Sequence, residues 1–86
     1  MKTIFVFSEE NHGEVCYAST FDKGVEWLIE KSWIDADLGV YISRKGWSSL
    51  YELFGDLWAD EVRSMSMERF NEFFDGCYHV KTRELV

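Results

Sequence analysis

Met65-Ser-Met-Glu-Arg-Phe-Asn-Glu-Phe-Phe-Asp-Gly-Cys-Tyr-His-Val-Lys-Thr-Arg-Glu-Leu85 holds a helix start, a helix stop and a strand in one run. Ser66 is placed to cap the helix, its hydroxyl accepting from an orphan amide of the first turn. Met65 and Phe70 stand at the two positions of a hydrophobic staple. Met67, Phe70 and Phe74 share one helical face with Phe73 beside it, and Gly76 can end the helix with φ > 0. Beyond the glycine, Cys77 to about Leu85 alternates like a strand. His79, Lys81 and Arg83 fall on one side and Tyr78, Val80 and Thr82 on the other. The basic side reads as solvent-facing, where lysine and arginine discourage edge-to-edge association.

Working back towards the N-terminus, Trp47, Leu50, Tyr51 and Phe54 fall at i, i+3, i+4 and i+7 and predict a helix from Gly46. Gly55-Asp56 interrupts it and opens a short helix through Leu57, Trp58 and Val62 to Met65. Val40-Tyr-Ile-Ser43 reads as a short strand. Ser19 or Thr20 caps an earlier helix with Asp22 in its first turn and Phe21, Val25, Leu28 and Ile29 at helical spacing. The stretch from Trp33 to Gly39 ends that helix. Lys2–Ser8 is a strand whose Ile4-Phe-Val-Phe core implies burial on both faces, and a polar turn through Gly13 leads into a second strand, Glu14–Thr20. The order is β-β-α-(β)-α-α-α-β. It implies an α+β domain over residues 1–86, a small antiparallel sheet (N-terminal hairpin plus C-terminal strand) packed with three to four helices.

Eighty-six residues leave room for one core, with about 60% of the unfolded surface hidden on folding. Four Trp and seven Phe compensate, since large rings bury the most area per residue, and they exclude a disordered chain. Sixteen acidic against nine basic residues give a net charge of −7, which repels a phosphate backbone and attracts a basic protein surface while also keeping the chain soluble. The apolar run at the N-terminus is too short for a signal-peptide core or a membrane span. The chain is therefore expected in the cytoplasm, off membranes and off nucleic acid, with Cys16 and Cys77 reduced.

Few residues suggest chemistry. His12, Cys16, Cys77 and His79 would form a zinc site or a Cys–His pair if their strands brought them together, although the spacing lacks the paired short knuckles of zinc domains. Asp35-Ala-Asp37-Leu-Gly39 has the opening of a calcium loop, but Gly46 stands where the closing glutamate belongs. Carboxylate pairs such as Glu9/Glu10, Asp60/Glu61 and Glu68/Glu72 lie mostly at solvent-facing positions, and no nucleophile elbow or triad is present. The expectation is a non-catalytic protein without cofactor, the metal site or small Cys/His enzyme being the alternative.

The tryptophans and the acidic helices point to a binding surface. Trp27 beside Glu26 and Glu30, and Trp58 beside Asp60 and Glu61, are candidate anchors bordered by charge. Glu52, Asp56, Glu68, Glu72 and Asp75 extend the negative face, which could occupy a basic nucleic-acid groove on another protein. In size, acidity and want of catalytic motifs the chain resembles small proteins of phages and mobile elements, including anti-CRISPR-type inhibitors. The likeness is one of type and transfers no residue role. Burial of apolar Trp surface in a homodimer is a further alternative.

Overall fold

A computed structural model describes residues 2–86 and shows an α+β fold. Strands β1 (Lys2–Glu9) and β2 (Gly13–Ala18) form the N-terminal hairpin, and β5 (Tyr78–Leu85) joins β1 on its other side, giving an antiparallel sheet of order β2-β1-β5. Helices α1 (Phe21–Glu30), α2 (Leu50–Phe54), α3 (Trp58–Arg63) and α4 (Met67–Phe73) complete the fold with a 3-10 turn at Gly55–Leu57. Strands β3 (Gly39–Ile42) and β4 (Gly46–Ser49) form a separate two-stranded sheet.

The C-terminal run behaves as its residues dictate. Ser66 Oγ accepts from the Arg69 amide at 3.1 Å, and both Met65 and Phe70 enter the core. After α4, Gly76 takes φ +82 and the chain reverses into β5. Helix α1 is capped by Thr20, whose hydroxyl accepts from the Lys23 amide at 3.2 Å. It ends sooner than its sequence implies. Trp33 N–H reaches Leu28 O and Ser32 N–H reaches Ile29 O, with Ser32 at φ +61 in the left-handed position that closes such a motif.

The central strand is buried on both faces, as its apolar run requires. Phe7 pairs with Cys16 and Val80 on the inner face, where its ring meets Phe21 and Phe70 at centroid distances of 5.8 and 6.1 Å. The aromatic chain continues through Phe74 to Tyr78, whose hydroxyl donates to Trp33 O. Val6 points the opposite way, outside that cluster, and is nevertheless fully buried. Tyr17 and Lys81 lie directly across from it. Glu14 accepts from the Tyr17 hydroxyl and from Arg83, so long side chains lay their apolar stems over a face that no helix covers.

One segment departs from its helical spacing. Gly46–Ser49 is strand, and the helix begins only at Leu50. Two local features override the pattern. Gly46, at φ +71, follows the turn Ser43-Arg44-Lys45, in which Lys45 N–H bonds to Ile42 O at 2.9 Å, so β3 and β4 close as a hairpin. Ser49 then caps α2: its Oγ accepts from the Glu52 amide at 3.1 Å and donates to the Glu52 carboxylate at 3.3 Å.

Ionisation ties the fold to pH. Glu9, Glu14 and Glu26 are held below the ordinary 4.5, chiefly by hydrogen bonds from His12, Tyr17 and Arg63 respectively. Their contribution is complete above the unfolded value and is lost as pH falls through the depressed ones. Tyr78 is pushed up to about 12 by burial, and burial also raises both thiols, so their contributions are lost as pH climbs. Urea midpoints should hold level between about pH 6 and 8 and decline on both sides.

Candidate partner-binding surface

The hairpin β3–β4 alternates faces. Val40 is buried, whereas Tyr41 and Trp47, paired directly across the strands, turn outward with 58% and 68% of their surfaces exposed. Their rings meet edge to face at 5.8 Å. Gly39 lies under the indole, where a Cβ would sit 3.8 Å from Trp47 Cε3. Tyr51 at the start of α2 is also half exposed. Between this hairpin and α4 runs a groove of about 420 Å³ lined by Tyr41, Ile42, Ser43, Arg69, Glu72 and Phe73. The Arg69 guanidinium stands over the Phe73 ring at 5.6 Å.

The tryptophans expected as anchors sit elsewhere. Trp27 and Trp58 are half-buried and packed against the core, so most of their apolar area is already committed to folding. Trp47 carries the exposed indole instead. Its helical spacing with Leu50 and Phe54 hid it. The Ser49-x-x-Glu52 capping box was the signal that placed the helix start after Trp47.

The carboxylates divide into two groups. Glu26 accepts two bonds from Arg63, at 2.7 and 3.1 Å, and Asp60 accepts a third at 3.3 Å, so these residues clamp α1 to α3. Glu52 serves the α2 cap. Glu30, Asp56, Glu61, Glu68, Glu72 and Asp75 are exposed and make no ion pair among the described residues. Glu72 reaches the aromatic hairpin through the groove, whereas Glu30 and the others are spread along the helices.

His12, Cys16, Cys77 and His79 do not converge. Strand parity separates them: Cys16 faces inward opposite Phe7, and His79 faces outward opposite Ser8. His12 Nδ1 lies 2.8 Å from Glu9, with its ring edge-on to Trp33. The Cys77 thiol donates to Gly39 O at 3.7 Å. Burial first, then the charges of Glu10, Glu9 and Asp75, push its thiol up, which keeps it protonated and weakly nucleophilic at neutral pH. Among the described residues no group of three or more His, Cys, Asp or Glu side chains is arranged to hold a metal. No helix among them is long and apolar enough to cross a membrane.

No family model matches the chain, and no curated protein or solved structure does so.

Proposed function

We propose that this chain is a non-catalytic protein-binding module whose contact surface centres on the outward face of the β3–β4 hairpin. The observation that carries this reading is the Tyr41–Trp47 pair: two large rings set edge to face on paired strands, with most of their area left in water. Burying such rings in a partner supplies the apolar centre of an interface at little entropic cost. The net charge of −7, with Glu72 in the adjoining groove, favours a partner with a basic surface. A groove that ordinarily holds nucleic acid is such a surface, and occupying it would make the protein an inhibitor of the kind its size and acidity resemble.

Trp47→Ala separates folding from binding. Losing its exposed cross-strand pairing with Tyr41 costs at most about 1 kcal/mol of stability, whereas losing an anchor costs about 2 kcal/mol or more of binding energy. The check is calorimetric titration of both proteins against a partner recovered from host lysate, alongside their urea curves. Unchanged affinity in the variant would remove the hairpin from the interface. Affinity indifferent to salt would remove the basic-groove partner.

A further inference from the structure

We propose that the outer edge of β5, from Thr82 to Val86, accepts an extended acidic segment of another protein as an additional strand. This surface is distinct from the aromatic hairpin. The edge is occupied in its first half. Tyr78 N–H donates to Phe74 O at 2.9 Å. The Asn71 amide then grips Val80 from both sides, accepting from its N–H at 2.7 Å and donating to its C=O at 2.9 Å. Val80 therefore turns its backbone groups away from β1. Strand alternation gives Thr82 and Glu84 the same orientation. Both residues are exposed and β5 is an edge strand, so past Asn71 the ladder is open to a new strand.

Charge selects the occupant. Register places Lys2, His79, Lys81 and Arg83 on the outer sheet face, and Glu14 is the one carboxylate among the described strand residues there. Glu14 bonds Arg83 and stands 4.0 Å from Lys81, so a single anion faces the three cations Lys2, Lys81 and Arg83. An added strand with carboxylates at alternate positions sets them beside the surplus cations. A second copy is disfavoured. Two-fold antiparallel pairing centred on Thr82 opposes Lys81 to Arg83, and centring on Arg83 or Glu84 opposes that residue to itself.

The test uses the full chain and two capped hexapeptides, one alternating Thr and Glu, the other Thr and Lys. Amide hydrogen exchange followed by NMR should show the Thr82 and Glu84 amides slowed at least about tenfold by the acidic peptide. Its affinity should fall with added salt. Thr82→Pro removes an outward N–H without touching the β1 ladder and should weaken the peptide at least about tenfold while the melting curve stays in place. If that variant fails to fold, Glu84→Pro takes its role. Trp47→Ala should leave peptide binding unchanged, which keeps this result separate from that of the hairpin. The proposal is overturned by no binding, by equal binding of the lysine peptide, by binding that survives the proline, or by concentration-dependent protection of the edge without peptide.

Discussion

Asn71→Leu should destabilise the protein by about 3 kcal/mol, because it strands a buried N–H and a buried C=O together. Val80 is almost wholly inaccessible, so water cannot replace the lost amide. Nor can β1, since the parity of the strand turns both groups away from it. For a chain of this size the loss is a large part of total stability and should lower the melting temperature by more than about 10 °C. Asn71→Asp provides a sharper reading. Ionised, it still accepts from Val80 N–H but repels Val80 C=O; protonated, it can donate again. Its carboxyl pKa is thus raised on folding, so the stabilising form is present at low pH and lost as pH rises. The deficit relative to the parent protein should shrink on acidification, opposite to the acid weakening expected from Glu9, Glu14 and Glu26. Urea titrations of the three proteins at neutral and acid pH measure both effects. A deficit independent of pH would mean that Asn71 acts by shape alone.

Gly24→Ala should also destabilise, although alanine is the better helix former by about 1 kcal/mol. A Cβ at this buried position of α1 would fall against the Cε1 and Cζ atoms of Phe7. That ring is fully buried and hemmed by Phe21 and Phe70, so it cannot swing clear. Overpacking of about 3 kcal/mol less the helix gain leaves a net loss of about 2 kcal/mol. Phe7→Leu vacates the contested volume. The double variant should therefore be more stable than the sum of the two single losses, a coupling that a double-mutant cycle reads directly. Strictly additive losses would show that the two residues do not meet as described.

These two sites mark where sequence reading stops. Asn71 is one polar residue in a short helix, and nothing local announces that its amide spans an edge strand nine positions onward. Gly24 reads as a helix-weakening residue, because its neighbour Phe7 is distant in sequence and arrives only when α1 packs on the sheet. The candidate surface was half legible. Acidity and an excess of tryptophan were plain, but which indole stays in water depends on where each helix begins. Trp47 matched a helical stripe, and the Ser49 cap displaced it onto a strand.

The amino-acid order alone determined the α+β class, the pairing of both ends of the chain in one antiparallel sheet, and the Ser66-to-Gly76 helix with its turn. The helix and its turn rest on caps and a glycine that act over a few residues, and the sheet rests on the apolar alternation of its strands. Tertiary packing alone decided that four His and Cys side chains part company and that Glu26 and Asp60 spend their charge on Arg63. Each depends on which strand face or helix start a residue receives, and a shift of one residue in a strand reverses its face.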